Sequence, residues 1–227
     1  MKSTTSYWLS DFAIEDLIEK LKTEVRGMPE PVSFSIIERF GRDPFLILIS
    51  CILSLRTKDA VTWSASINLF EKAKTPQEMM FLSLIEIEQS IYPVGFYRQK
   101  ARTILQISSL LLEKYNGYVP SVKDDLLMLP GVGIKTAGLV LGLAFGIPAL
   151  CVDTHVHRIA NRLGMVCTKT PEETERALTD IIPNHYWIEL NRLLVMWGQN
   201  TCTPISPFCS RCALSLVCQK KDVSSSR

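Results

Sequence analysis

Strict alternation of apolar and polar residues, the pattern of half-buried strands, is hard to find along this chain. The apolar runs are instead bordered by residues that start and stop helices. Asp43-Pro44 places a cap before a proline at the first helical position, ahead of the apolar run 45–55. The Thr-Pro-x-Glu segments 75–78 and 170–173 are both predicted capping boxes. These signals predict an all-α protein of about ten helices.

Weaker signals continue the helical pattern. Ser83 with Glu86, and Ser121 with Asp124, repeat the capping motif. The Ser-rich segment 223–227 is expected to fray. No linker rich in proline, glycine or serine divides the middle of the chain, so two lobes would share an interface. Helix ends are predicted at three glycines and one Ile-Pro step, namely Gly41, Gly117, Gly164 and Ile182-Pro183.

Neither a membrane span nor a secretory signal is predicted. The longest largely apolar run without a charge, 137–152, is shorter than the roughly 18 residues that a span requires. It also contains Pro148 and is followed by Asp153. The first ten residues lack the apolar core of a signal peptide. We therefore expect a protein that is neither exported nor inserted in a membrane.

Composition excludes global disorder, since 47% of the 227 residues are hydrophobic and only 21% are charged. A count of 25 basic and 23 acidic residues gives a net charge of +2, which is too small to indicate a nucleic-acid partner by itself. Two short basic clusters are present, Arg56 with Lys58, and Arg98 with Lys100 and Arg102. Each cluster fits either a solvated helix face or an anion-binding surface.

The clearest local motif is a predicted helical hairpin. A short amphipathic helix, 122–129, meets the Pro-Gly-Val-Gly turn 130–133, and a second helix begins at Ile134. Two glycines in this turn remove the Cβ atoms that would keep another backbone at a distance. Amides in the first turn of the second helix lack intrahelical acceptors, so the hairpin can bind an anion such as a nucleic-acid phosphate. An ordinary αα-hairpin with a glycine stop explains the same residues.

Two ionisable residues near the hairpin suggest chemistry. Lys135 falls in the first turn of the second helix, where the positive end of the helix dipole opposes a protonated amine. Burial beside an apolar helix face would favour the neutral amine further, and a neutral amine can attack carbon. Asp153 stands where an N-cap belongs, before a helix that runs towards Gly164. It is either that cap alone or an ionised carboxylate that stabilises a cationic transition state.

Four of the seven cysteines lie within residues 202–218, with six, two and five residues between them. A disulfide framework is typical of small secreted domains with little core, so metal ligation explains the cluster better. Four thiolates suit either tetrahedral zinc or an iron–sulfur cluster. The single Cys-x2-Cys pair favours iron, because structural zinc usually draws on two close pairs. The four residues are Cys202, Cys209, Cys212 and Cys218.

The segment 129–137, Leu-Pro-Gly-Val-Gly-Ile-Lys-Thr-Ala, followed by Val-Asp-Thr-His-Val-His-Arg at 152–158, resembles the helix-hairpin-helix DNA glycosylase superfamily. Within it the chain is similar to the endonuclease III family, from about residue 45 to residue 218. Leu-Ser-Leu-Arg-Thr-Lys-Asp at 53–59 resembles the family's loop that enters the duplex. Val-Gly-Phe-Tyr at 94–97, with Lys100-Ala101, resembles its second wedge loop.

Two residues of these loops depart from the family pattern. Arg56 stands where the family commonly has glutamine, and Phe96 stands where it often has leucine. Both positions would fill the gap left by a flipped base or touch its orphaned partner. The resemblance therefore does not predict which base is preferred opposite the lesion.

The resemblance implies a bifunctional DNA glycosylase and abasic-site lyase that removes oxidised pyrimidines from duplex DNA in base excision repair. It implies that Lys135 is the Schiff-base nucleophile and that Asp153 is its electrostatic or acid–base partner. The four clustered cysteines would hold a [4Fe–4S] cluster. The implied partner is double-stranded DNA with a damaged base or an abasic site, bound by a cytoplasmic or nucleoid-associated monomer. The implied DNA contacts are Arg56, Phe96, Gly131, Val132 and Gly133.

The resemblance also implies two helical lobes with a DNA-binding cleft between them. One lobe is a helical barrel of residues 32–147 that contains the hairpin, and the other joins residues 1–31 to residues 148–227 with the iron–sulfur loop. One alternative is a monofunctional mismatch or adenine glycosylase, and Lys135 argues against it. Another is a catalytically silent DNA-binding protein that carries the cluster, and the presence of both Lys135 and Asp153 argues against it.

Overall fold

The computed structural model describes residues 11–227, with side chains from residue 14 onwards. Within this range the chain forms α-helices, two short 3₁₀ turns and no β-strand, which confirms the predicted all-α class. None of these helices is long and apolar enough to cross a membrane. The helices are α1 Asp11–Glu24, α2 Val32–Phe40, α3 Pro44–Ser54, α4 Asp59–Phe70, α5 Pro76–Met80, α6 Leu84–Ile91, α7 Tyr97–Tyr115, α8 Lys123–Leu127, α9 Ile134–Phe145, α10 Thr154–Leu163, α11 Pro171–Thr179 and α12 Trp187–Asn200.

Several helices begin with the predicted cap chemistry. The Asp43 carboxylate accepts a hydrogen bond from the backbone amide of Leu46 at 3.0 Å, and Pro44 is the first residue of α3. Thr75 and Thr170 cap α5 and α11 through their hydroxyl groups. Their predicted capping boxes are incomplete, because the glutamate three residues after each threonine accepts from the amide that precedes the cap.

The two weaker capping signals have different outcomes. Ser83 and Glu86 form a complete capping box at the start of α6. Ser121 does not cap α8, which begins two residues later and has no side-chain cap. A capping box needs Glu or Gln to reach back to the cap amide, and the Asp124 side chain is one methylene shorter. The three glycines predicted to end helices all have positive φ, namely Gly41, Gly117 and Gly164.

Residues 31–147 form one compact unit with its own core. α3 lies at the centre of this unit, and every residue from Phe45 to Leu53 is buried. α2, α4, α7 and α9 all pack against it. A helix that is apolar around its whole circumference is stable only when it is enclosed in this way. The loop 55–58 that follows α3 brings Arg56 to the surface.

The described residues 11–30 and residues 148–227 form the second compact unit. Apolar side chains of α1, α10 and α12 build its core, in which Trp197 is among the largest fully buried side chains. The Arg192 guanidinium forms an ion pair with Glu30, with Nε 2.6 Å from Oε2. This pair fastens the end of the segment 11–30 to α12.

The end of the Ser-rich segment 223–227 contacts the rest of its unit through Arg227, although the sequence predicts only a segment that frays. The Arg227 amide donates to Pro207 O at 2.8 Å, and the Ser210 amide donates to Arg227 O at 2.9 Å. The guanidinium groups of Arg227 and Arg211 lie 3.9 and 4.1 Å from the ring centroid of Phe208. The Ser-rich composition of the segment gives no sign of these backbone hydrogen bonds and cation–π contacts.

Candidate catalytic and nucleic-acid-binding site

The predicted hairpin consists of α8, a tight turn and α9. Gly131 has a φ of +76°, which favours glycine, and a Cβ atom there would make a tight contact of 3.1 Å with Thr103 Cγ2. Val132 is buried and anchors the turn. Gly133 differs, because its φ is −97° and a Cβ atom would meet nothing within 4 Å. The chain itself does not require glycine at 133, and the backbone there is open to an external ligand.

Gly133 is also the residue that precedes the first turn of α9, and no side chain caps this helix. The amides of a first helical turn have no intrahelical acceptors. Together with the positive end of the helix dipole, these amides form a surface that suits a phosphate group.

Lys135 is the second residue of α9 and is exposed. The expected burial beside an apolar helix face is therefore wrong, because the buried face of α9 is formed by other positions such as Ala137 and Val140. Lys135 nevertheless lies close to the core of its unit. Burial raises the pKa of the Cys51 thiol on α3 to about 12, and the charge of Lys135 opposes that rise.

Asp153 caps α10, as predicted. Its Oδ1 accepts hydrogen bonds from the backbone amides of His155 at 2.8 Å and Val156 at 2.9 Å. Val152 and Val156 are buried on either side of it, while the Asp153 side chain is half-buried. Two hydrogen bonds from backbone amides to one oxygen hold the carboxylate in one orientation. A catalytic role is compatible with this geometry and is taken up below as a proposal.

Two loops of the unit 31–147 bring Arg56 and Phe96 together, with the guanidinium 5.8 Å from the ring centroid. Both residues are exposed, and both have a left-handed backbone, with φ values of 54° and 58°. A residue other than glycine adopts this conformation at a cost of about 1 kcal/mol. Such strain persists only where surrounding contacts hold it.

The predicted basic cluster at residues 98–102 does not form one surface. Arg98 and Arg102 are exposed, but Lys100 is buried with 7% exposure. Its Nζ donates to Leu53 O at 2.8 Å and to Leu55 O at 2.5 Å. Burial lowers the pKa of Lys100 to about 8, so the ammonium form is retained at neutral pH. The signal for its burial was its register on the buried face of α7, which is formed by Lys100, Ala101, Ile104, Ile107, Ser108 and Leu111.

An open groove of about 330 Å³ lies at these loops in the unit 31–147. It brings together three of the predicted DNA contacts, Arg56, Phe96 and Gly131, whereas Val132 and Gly133 do not line it. Lys135 is also outside its lining. The remaining lining residues come from α3, α7 and the loop after α3, namely Ile52, Leu55, Gln99, Lys100 and Thr103.

The four clustered cysteines line one small cavity of the second unit. All four are half-buried and free of disulfides, and Cys167 is exposed outside this cavity. Among residues 11–227 no group of three His, Cys, Asp or Glu side chains is arranged to hold a single metal ion.

Hydrogen-bond donors near the sulfur atoms also fit thiolate ligands. Arg162 Nη1 lies 3.4 Å from Cys202 Sγ, and the Lys220 amide lies 3.3 Å from Cys218 Sγ. Burial raises the pKa of Cys212 to about 11 and also raises that of Cys218, so both are protonated at neutral pH unless a cation binds. Bound iron would displace these protons. The residues present therefore suit an iron–sulfur cluster.

Two arginines of α10 join the helix that Asp153 caps to the cysteine loop. Arg158 Nη2 donates to Cys202 O at 2.9 Å, and Arg162 Nη1 donates to Thr203 O at 2.7 Å. Neither contact was predicted from the sequence, because the partners lie 44 and 41 positions away.

A family model described as HhH-GPD superfamily base excision DNA repair protein matches residues 49–184. The matched span contains the hairpin, Lys135 and Asp153, and it ends before the four cysteines.

Individual proteins match over a longer stretch. Endonuclease III of Thermotoga maritima is 48% identical over 197 residues, which cover 85% of this chain and 92% of that protein. A solved non-covalent endonuclease III–DNA complex is similar with a TM-score of 0.81 and 36% identity, covering 93% of this chain and 96% of that one. A trapped endonuclease III–DNA covalent intermediate with an estranged adenine has the same TM-score and identity, and 97% of that chain is covered.

Proposed function

This chain belongs to the HhH-GPD superfamily of base excision DNA repair proteins and, within it, to the endonuclease III family, and we propose from this membership that it is a bifunctional enzyme. Its substrate is double-stranded DNA that carries an oxidised pyrimidine or an abasic site. The enzyme first breaks the bond between the base and the sugar. It then cleaves the strand at the resulting site by β-elimination.

The observation that carries this proposal is the position of Lys135. It presents an exposed amine from the first turn of α9, two residues after the open turn at Gly133. The turn amides suit a DNA phosphate, so a bound strand would run beside this amine.

In the proposed reaction, Lys135 Nζ attacks C1′ of the damaged nucleotide as the bond from C1′ to the base breaks. The base leaves with the electron pair of that bond and takes up a proton. The sugar ring then opens, its ring oxygen becomes a hydroxyl group, and the lysine is left as a protonated imine. Loss of a proton from C2′ expels the 3′ phosphate and breaks the strand.

Asp153 has two proposed roles in these steps. Its carboxylate stabilises the positive charge that develops on the sugar as the base leaves. It also accepts a proton from the amine of Lys135 during the attack. The hydrogen bonds from His155 N and Val156 N to Oδ1 support both roles, because they keep the carboxylate in place before the reaction begins.

DNA contacts are proposed for the hairpin and for the two loops of the same unit. Gly131, Val132 and Gly133 would bind the phosphate backbone, which positions the duplex without reading its sequence. Arg56 and Phe96 would enter the duplex where the target nucleotide is extruded.

We further propose that the four clustered cysteines hold a [4Fe–4S] cluster. Four protein ligands leave no open iron position, so the bound cluster would supply a structural cross-link and no step of the reaction. It would shape the loop that carries three cations suited to phosphate, Arg211, Lys220 and Lys221.

Borohydride trapping tests the enzymatic proposal, because reduction converts an imine between protein and DNA into a stable covalent bond. Wild-type protein and a duplex with one abasic site should give an adduct on a denaturing gel only when borohydride is present. Release of an oxidised pyrimidine without any adduct would indicate a monofunctional glycosylase. DNA binding with neither product would indicate a catalytically silent DNA-binding protein.

A further inference from the structure

Lys100 connects the first turn of α7 to the end of α3. Its ammonium donates hydrogen bonds to Leu53 O at 2.8 Å, Leu55 O at 2.5 Å and Thr57 Oγ1 at 3.1 Å. The last carbonyl groups of a helix have no intrahelical donors, and a cation is favoured at that end of the helix dipole. Lys100 therefore supplies hydrogen-bond donors to the carbonyl groups at the end of α3, although its own helix begins more than 40 residues later.

Thr57 extends this contact to the second loop. Its Oγ1 accepts hydrogen bonds from Lys100 Nζ and from the Gly95 amide at 3.2 Å, and it donates to Leu55 O at 3.3 Å. Gly95 is pressed against the first loop, since a Cβ atom there would lie 2.8 Å from Arg56 O. One ammonium and one hydroxyl thus join the loop 55–58 to the loop 92–96.

The joined loops carry the two strained residues of the groove. Arg56 and Phe96 both have positive φ, and their side chains form the cation–π pair at 5.8 Å. Two left-handed residues on separate loops keep one relative placement only if the loops keep a fixed separation. The hydrogen bonds of Lys100 and Thr57 provide that constraint.

We propose that Lys100 is a positioning residue for DNA recognition, which holds the loops 55–58 and 92–96 as one wedge so that Arg56 and Phe96 enter the duplex together. The inference rests on the proposed function of this chain in DNA repair. Lys100 acts through the two exposed side chains, because its own ammonium is occupied by acceptors within the protein. A lysine that only stabilised α3 would change the melting temperature without changing wedge entry.

Two variants separate these roles. Lys100→Met keeps the aliphatic stem and removes the ammonium, while Thr57→Val keeps the shape of the side chain and removes the hydroxyl that reaches Gly95. Arg102→Met is the matched control, since it removes an exposed cation from the same helix. A duplex with 2-aminopurine opposite an abasic site reports wedge entry, because the fluorescence of this base rises when it loses its stacking partners.

Wild-type protein and Arg102→Met should give the full rise in fluorescence at saturating protein. Lys100→Met and Thr57→Val should give a smaller rise and a Kd weakened by about tenfold, the size expected for a hydrogen bond to a charged group. Borohydride trapping at saturating protein should persist in both, because Lys135 and Asp153 are unchanged.

Wild-type fluorescence and Kd in Thr57→Val would overturn the proposal, and this variant decides the outcome if Lys100→Met melts below the assay temperature. Either result leaves the enzymatic assignment intact as long as the wild type is trapped. Absence of trapping in the wild type would instead overturn the proposed function.

Discussion

Lys135 lies within electrostatic reach of Cys51, since its charge opposes the rise that burial gives to the pKa of this thiol, which is only 3% exposed. Cys51 belongs to the buried helix α3, and Lys135 begins α9, which packs against α3. The position of the proposed nucleophile is therefore set by a contact between two helices of the core and not by a loop.

Lys135→Gln should abolish borohydride trapping on abasic duplex DNA, because an amide nitrogen does not form an imine. The melting temperature should stay close to that of the wild type, since the side chain is exposed. Lys123→Gln is the matched control, because it removes an exposed ammonium from α8 of the same hairpin and should leave trapping unchanged. Full trapping by Lys135→Gln would mean that another amine is the nucleophile.

Protein purified without oxygen should contain about four iron atoms per chain and absorb broadly near about 400 nm. Cys212→Ser should lose iron and solubility, because the loop 202–218 loses its cross-link. Cys167→Ser should retain iron, since Cys167 lies outside the cavity that the four clustered cysteines line. One zinc per chain and no visible absorbance would refute the iron–sulfur assignment.

Helix starts were predictable wherever the chemistry is local. Asp43 caps α3 with an amide only three residues away, so the sequence contains all the information needed. Ser83 and Ser121 have similar neighbours, yet only Ser83 caps a helix. Glu86 completes the capping box by accepting a hydrogen bond from the Ser83 amide at 2.8 Å, whereas Val122 and not Ser121 occupies the cap position of α8.

The site was predictable as a motif but not as a set of contacts. The order of residues around Gly131 and Lys135 is visible in the sequence, whereas the exposure of Lys135 depends on how α9 packs. The three basic residues of the segment 98–102 look alike in the sequence, because the acceptors of Lys100 lie 43 to 47 positions earlier in the chain. The contacts of Arg227 likewise involve partners near residue 208 that no local pattern indicates.

The affinity for DNA should fall as the pH rises through the pKa of Lys100. Burial lowers this pKa from 10.5 to about 8, and the neutral amine has only two N–H donors for the three acceptors that the ammonium binds. The wedge should therefore loosen between about pH 7 and 9. When the affinity for an abasic duplex is measured against pH, this fall should be present in the wild type and absent in Lys100→Met.

Stability should change with pH in the opposite direction. The unfolded chain keeps the ordinary lysine pKa of 10.5, so between about pH 8 and 10.5 it binds more protons than the folded state, and the free energy of unfolding rises. Other charged groups lie on the elements around Lys100. Arg56 shares its groove, and Glu78 and Glu86 belong to α5 and α6, which pack against α7. Both glutamates accept hydrogen bonds from backbone amides at the starts of their own helices. Identical pH dependence in wild type and Lys100→Met would contradict this prediction.

Asp153→Asn should separate capping from catalysis, because asparagine caps a helix about as well as aspartate does. The variant should fold close to normally and still bind abasic DNA. Excision of an oxidised pyrimidine in a single turnover should slow by about two to four orders of magnitude, since the carboxylate that we propose to stabilise the positive sugar is lost. A melting curve recorded with each rate shows whether the fold is retained.

Asp43→Asn is the matched control for this test. Asp43 caps α3 with the same kind of bond, from Leu46 N to Oδ1 at 3.0 Å, and it has no proposed part in the chemistry. Its excision rate should stay at the wild-type value, with a melting temperature similar to that of Asp153→Asn. A full excision rate in Asp153→Asn would show that Asp153 is only a cap and that the catalytic carboxylate lies elsewhere.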